Sequence, residues 1–232
     1  MNTNLSLSMF SAVTKYTMPT YYDLCDVHAV LSAYDKTNLN DGIYMQQVTK
    51  RCKGKLGKNA NSATEVGSVH VSMTFDKTKC SLMIFKNSIK ISGGIPKCIQ
   101  DMLHEHISYV GNDILYKYIK IITDTIVQHS AGVVVDCFDA RLVNLNATYR
   151  GKAIDDFMAF CQTKLFKNKD LCCTCYLPLT FDRGAFTACQ LYPFPTTNCS
   201  AKIQHTGSIQ YMGFKDVDAI HVYSNLVNEV LY

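Results

Sequence analysis

Three groups of side chains have the residue types and spacing to do chemistry. Cys172-Cys173-Thr174-Cys175 is the densest set of thiols. A structural zinc site takes two spaced pairs that close a tetrahedron, and the next thiols along the chain, Cys161 and Cys189, stand at unsuitable spacing. On a strand, Cys173 and Cys175 share one face and Cys172 takes the other. His104-Glu105-His106 puts two imidazoles at i and i+2, which do not share a face of a helix, so the pattern is not His-Glu-x-x-His. No metal and no cofactor is expected. The third group is basic: Lys50, Arg51, Lys53, Lys55 and Lys58 fall within nine residues, and no acid occurs between Asp41 and Glu65. Such a run is either a solvated loop or a flank that contacts phosphates and releases their counterions. Gly54-Lys55-Leu56-Gly57-Lys58 lacks the four-residue gap and the following Ser/Thr of a phosphate-binding P-loop.

Catalytic constellations are missing. There is no G-x-S-x-G elbow and no dinucleotide-binding glycine run. Asp155-Asp156 and the pair Asp136 and Asp139 read as helix-start and strand-end acids. A Cys–His pair needs only proximity in space, so a thiol enzyme stays open as an alternative, but the chain is expected not to be an enzyme. Composition narrows the class further. The 232 residues are 47% apolar and 18% charged, which is a globular balance. The net charge of +4 is too small to argue for nucleic acid by itself, so any basic surface must be local. No apolar run approaches the ~18–20 residues of a membrane span, and no membrane partner is expected. Met1 to Tyr16 lacks the basic start and apolar stretch of a signal peptide. Eleven scattered cysteines then read as reduced, mostly buried thiols.

Hydrophobic alternation places the elements. Ser68 to Phe75 sets Val69, Val71, Met73 and Phe75 on one face and His70, Ser72 and Thr74 on the other, the pattern of a half-buried strand. Ser81–Phe85 and Ser88–Ser92 flank Lys86-Asn87 as a β-hairpin. Helical spacing follows over Cys98–Val110 and Asp113–His129. Val133–Leu145 is extended, Ala153–Leu165 is an amphipathic helix, and Leu171–Leu179 and Phe186–Tyr192 are strands. Ala201–Gln204 and Ser208–Met212 make a second hairpin over His205-Thr206-Gly207, and Asp216–Leu231 is a closing helix.

The order strand, helix, strands, helix therefore occurs twice. At an offset of 120, Ser88-Ile89-Lys90-Ile91-Ser92-Gly93 meets Ser208-Ile209-Gln210-Tyr211-Met212-Gly213. At an offset of 113, Asp23 to Val27 meets Asp136 to Ala140. The division expected is an N-terminal extension 1–18, a first repeat 19–112 holding its own terminal helix, a connecting helix 113–132 and a second repeat 133–232. If Ile89, Ile91, Ile209 and Tyr211 face a helical layer, Lys90, Ser92, Gln210 and Met212 must line the other face.

This arrangement resembles the TATA-box-binding protein family. The residues carrying the likeness are Thr206-Gly207-Ser208-Ile209-Gln210-Tyr211-Met212-Gly213 with the helix after them, and Phe186-Thr187-Ala188-Cys189-Gln190-Leu191-Tyr192. The resemblance implies an α+β saddle of two pseudo-repeats, each a curved antiparallel sheet with helices on the convex side. It also implies minor-groove binding with phenylalanine wedges that unstack base steps. Phe85 and Phe186 are the matching wedges, Lys90, Ser92, Gln210 and Met212 line the groove face, and Lys53, Lys55 and Lys58 flank it. The wedge partners fall at Ser68 and at Gln204 or His205. The family's paired central asparagines fall near Thr20 and Val133, which departs from its pattern and implies looser sequence recognition.

The expected function is that of a divergent initiation factor that binds and bends A·T-rich promoter DNA. Its expected partners are double-stranded DNA and a transcription factor IIB-like protein or RNA polymerase subunits. A protein-interaction module without DNA binding, and a thiol or zinc protein, are the alternatives. Four arginines among abundant Tyr, Asn and Lys suit a large DNA virus or an A·T-rich protist genome. The expected place of action is the nucleus or a viral factory in the cytoplasm.

Overall fold

The computed structural model describes residues 5–39, 42–52, 65–106, 111–165, 188–191 and 199–231. The chain forms two compact units. The larger takes Phe10–Leu103 and Asp113–Leu142, and the smaller takes Met1–Met9, His104–Asn112 and Val143–Tyr232. Their limits fall inside elements and differ from the expected division at 19–112 and 133–232.

The larger unit holds most of strand β1 (Leu5–Thr17), helix α1 (Leu24–Ser32), β2 (Thr37–Asn38), β3 (Ile43–Cys52), β4 (Val66–Phe75), β5 (Thr78–Phe85) and β6 (Ser88–Gly94). Most of helix α2 (Lys97–His106) and of α3 (Gly111–His129) follows, with the start of β7 (Val135–Arg150). Its strand order is β2-β3-β4-β5-β6-β1. The β2–β3, β3–β4, β4–β5 and β5–β6 pairings are antiparallel. Val69, Val71 and Met73 pair across with Ile84, Leu82 and Cys80, and these with Ile89, Ile91 and Gly93. All but the glycine are buried. Phe75 continues that face, and Tyr118 of α3 packs on it at 5.4 Å between ring centroids and on Phe10 at 5.6 Å. The helix thus covers the apolar face, and the residues between the buried ones form an uncovered face.

In the smaller unit the strand order is β1-β7-β10-β9-β8, with β8 Ala188–Leu191, β9 Ser200–Gln204 and β10 Ser208–Phe214. Tyr211, Phe214 and Tyr223 form a ring cluster with centroids 5.8 to 6.5 Å apart, which seats α5 (Val217–Leu231) on β10. Asn112 ties the start of α3 to that of α5, donating to Asp216 at 2.7 Å and accepting from Val217 N at 3.1 Å.

Three expectations are corrected. Residues 5–17, set apart as part of an extension, are a 13-residue strand that buries Leu5, Leu7, Phe10, Ala12, Thr14 and Tyr16. Its alternation slips by one where Ser8 and Met9 are both exposed, and the slip hides the period. The match of Asp23–Val27 to Asp136–Ala140 fails, because the first opens a helix and the second lies in β7. Asp23 caps α1 by accepting from Cys25 N and Asp26 N, and Asp26 reaches back to Asp23 N at 2.8 Å. The helix expected from Ala153 starts at Phe157 as α4 (Phe157–Phe160), where Asp156 accepts from Ala159 N, and passes into a π-helical turn, Cys161–Leu165. The strand expected at Leu171–Leu179 and the Cys172–Cys175 cluster lie outside the described residues.

The β9–β10 turn is clamped to the segment after β7. Gly151 N donates to Gly207 O at 3.0 Å, and Ile154 N to His205 O at 2.8 Å. Gly207 has φ +78°, and a Cβ there would run into the Lys152 carbonyl. Gly42 has a similar φ of +77° with nothing within 4 Å of a Cβ. Gly42→Ala should therefore cost only the left-handed backbone term, about 1–2 kcal/mol. Gly207→Ala should cost clearly more in denaturant melts, and equal losses would show that the clamp carries no steric load.

Candidate functional site

The uncovered face of the larger unit follows from strand register. Arg51 pairs with Ser68, and Phe85 with Ser88. Thr49, His70, Met83 and Lys90 form one row across β3 to β6, and Gln47, Ser72, Ser81 and Ser92 form the next. Phe85, Lys90 and Ser92 are thus brought onto one face. Phe85 takes that place because the hairpin loop is only Lys86-Asn87. Its carbonyl accepts from Tyr16 Oη at 2.7 Å, which pins the strand end to β1. The Tyr16 phenol is pushed up to about 12 by burial and by Cys137. Ser81 and Ser92 hydroxyls meet at 3.1 Å, so the middle of the face is low and polar. Lys90 stands exposed beside them.

In the smaller unit Gln210 pairs with Thr148 on β7 and with Lys202 on β9, and Met212 with Ser200. Lys202 in turn pairs with Gln190 on β8. Ile209, Tyr211, Ala201 and Ile203 are fully buried, so Gln210 and Met212 lie on the uncovered side. A bulge separates Tyr211 from Phe214. Gly213, at φ +83°, turns its N–H away from the ladder toward the side chains of Asn144 and Asn146, whose Oδ1 atoms accept it at 3.1 and 3.3 Å. Each amide keeps its Nδ2 hydrogens as donors.

These asparagines, with His70, Arg150 and Lys202, are candidate site residues that sequence reasoning missed; Arg51 belongs to the basic run. The amide positions were sought near Thr20 and Val133. Thr20 lies in a turn before α1, and Val133 is buried ahead of β7. Asn144 and Asn146 carried a signal, because they alternate with buried Leu145 and Ala147. Lys50 and Arg51, read as the start of a loop, are the exposed end of β3. Lys53, Lys55, Lys58 and Phe186 lie outside the described residues.

Charge is sorted between faces. Among the described residues, Lys15, Lys79, Lys90, Arg150 and Lys202 each stand next to a buried residue on their strands, Arg51 lies at the exposed end of β3, and no carboxylate lies on β3, β4, β5, β6, β9 or β10. The described acids sit on helices, turns and loops, apart from Asp136 and Asp139 near the N-terminal end of β7. No group of three metal-ligating side chains occurs among the described residues. Two of the described thiols are held away from the thiolate form. Burial pushes Cys80 up to about 12, and burial with Asp124 and Asp136 nearby pushes Cys137 up to about 11.

His70 titrates downward from the ordinary imidazole value, first through burial and second through Arg51. Its Nε2 is buried without a hydrogen-bond partner among the described residues. A folded-state value below the unfolded one means that the unfolded chain binds the extra proton first. The stability tied to neutral His70 is present above about pH 6.5 and is lost as pH falls through the lowered value. Urea melts at pH 7.5 and 5.5 should show an acid loss in the wild type that is smaller in His70→Gln. An equal loss in both would remove His70 as its source.

No family model and no curated protein matches the chain by sequence. Among solved structures it is similar to the TBP of Methanococcus jannaschii, at 12% identity and a TM-score of 0.55, over 98% of each chain. At that identity the likeness is one of architecture: helices and mostly antiparallel strands arranged in a TBP-like α+β fold.

Proposed function

We propose that the protein is a TBP-like initiation factor whose uncovered strand faces bind and bend A·T-rich DNA through the minor groove. The observation that carries this reading is the sorting of charge: a TBP-like fold whose uncovered faces carry cations, amides and hydroxyls, and whose described acids lie almost wholly elsewhere. Phosphate attraction comes from the strand-end cations Arg51 and Arg150. The half-buried Phe85 at the end of β5 is placed to wedge a base step, which costs a few kcal/mol in unstacking and is offset by a bent duplex that covers more protein.

An internal duplication belongs to the same reading. β6 and β10 match at an offset of 120 in sequence and in burial: Ile89 and Ile209, and Ile91 and Tyr211, are fully buried, while Lys90 and Gln210 between them are exposed. β1 and β7 match at an offset of 135, where Leu7, Ala12 and Lys15 meet Leu142, Ala147 and Arg150 and both strands slip phase after the leucine. Across the hairpins, Ile84 pairs with Ile89 and Ile203 with Ile209, so Phe85 meets Gln204 and each unit keeps a different wedge set. The outer side of α5 exposes Val222 at 70% and Leu226 at 36%, a surface suited to a IIB-like or polymerase partner. Such a factor would act in the nucleus or at a viral transcription site. Its work is binding rather than catalysis.

The test is energy transfer across an end-labelled A·T-rich duplex, with affinity measured over a salt series. Affinity should fall steeply with salt. Phe85→Ala should reduce the bend while costing much less stability than the ~3–5 kcal/mol of a fully buried ring such as Phe10. A chain with no salt-dependent affinity for DNA would be an interaction module instead. Strong destabilisation by Phe85→Ala with an unaltered bend would return that ring to the core.

A further inference from the structure

Lys90 and Gln210 occupy matching places and differ in hydrogen-bonding chemistry. Each stands exposed between two fully buried residues of its strand. Lys90 has Ser88 and Ser92 along β6 and Met83 across on β5. Gln210 has Ser208 and Met212 along β10, with Thr148 and Lys202 across.

The floor of the minor groove offers only acceptors at A·T and T·A pairs, adenine N3 and thymine O2. A G·C pair adds one donor, the guanine 2-amino group. An ammonium has three donors and no acceptor, whereas a carboxamide has both. Resting on the reading of these faces as minor-groove surfaces, we infer that Lys90 requires A·T at the step it meets and that Gln210 accepts G·C there as readily. Against guanine, Lys90 sets donor against donor and leaves a desolvated amino group without an acceptor. Gln210 answers the same group by turning its Oε1 to it, and answers adenine or thymine with its Nε2 hydrogens. Lys202, one strand away and half-buried, adds attraction for the groove but has no acceptor to offer guanine. Lys90 also favours the narrow groove of A-tracts, where the negative potential is strongest. The protein therefore reads its site unevenly, with one strict half and one tolerant half.

The experiment is competition binding of the full chain against a panel of A·T-rich duplexes, each carrying one G·C replacement. The wild type should lose about tenfold or more in affinity at one block of positions and less than about threefold at another. Lys90→Gln should abolish most of the penalty in the strict block and leave the other block unchanged. Gln210→Lys should create a penalty of about tenfold in the tolerant block. Both side chains are exposed, so thermal melts should show both variants folded. A uniform wild-type profile, or profiles unchanged in both variants while DNA remains bound, would overturn the assignment and spare the DNA-binding reading. Absence of salt-dependent DNA affinity in the wild type would overturn both.

Discussion

The period of two along a strand is the constraint on which the uncovered face depends. Ile89 and Ile91 are fully buried on the side of β6 that α3 covers, because they continue the row of Val69, Val71 and Met73 through Ile84 and Leu82. Each fully buried aliphatic side chain is worth about 1.5–3 kcal/mol relative to exposure. A shift of register by one residue would forfeit all of them together. Lys90 and Ser92 therefore have no choice of side. The same holds in β10, where burial of Ile209 and Tyr211 sends Gln210 outward. The chemistry of the uncovered faces is a by-product of core packing. This is why residues so unlike one another can stand there without disturbing the fold.

What could be read from residues alone tracks how cleanly that period is written. β4, β5, β6 and β10 alternate without interruption over their middles, and their facing residues were legible. β1 was not, because two exposed residues in succession, Ser8 and Met9, break its alternation, and the run then reads as an irregular extension. β3 was hidden by its charge: Lys50 and Arg51 are a strand end, but a cluster of cations and glycines just beyond them reads as loop. The spacing of two aspartates at i and i+3 misled in another way. In Asp23 and Asp26 it is a capping box, a property of period 3.6. In Asp136 and Asp139 the same spacing falls in a strand, whose first turn is made by Asp136 at φ +47°. Identity of letters says little when the backbone period differs.

The amides were lost for a related reason. The places that the resemblance implies, near Thr20 and Val133, stand at the same offset of 113 as the aspartate match, which the structure does not keep. The β7 register with β10 puts amides at Asn144 and Asn146 instead. Nothing in the composition pointed to them, since a pair of asparagines in a strand is disfavoured by propensity alone. The backbone compensates locally. Gly213 leaves the ladder at the bulge, and its N–H is satisfied by both side-chain carbonyls rather than by a strand partner. A buried N–H without a partner would cost about 1–3 kcal/mol, so the asparagines and the glycine are needed together.

That coupling gives the smaller unit a character the larger lacks. With both Oδ1 atoms held by Gly213, the amides of Asn144 and Asn146 are oriented, and their Nδ2 donors point where the bulge directs them. In the larger unit the corresponding stretch of β6 runs through Gly93 without a left-handed residue. A Cβ there would meet Lys79 O at 2.7 Å, so Gly93 serves close approach to β5 and not a turn of the backbone. The uncovered side of β6 is accordingly flat, hydroxyl-lined and cationic at Lys90, whereas that of β7 and β10 presents preset amides. Two glycines at matching positions thus do different work, one narrowing the gap between strands and the other redirecting a donor. The net charge of +4 registers neither difference. It averages helices that carry acids with strand faces that carry almost none. The property relevant to a polyanion is how the charges are distributed among the elements, not their sum.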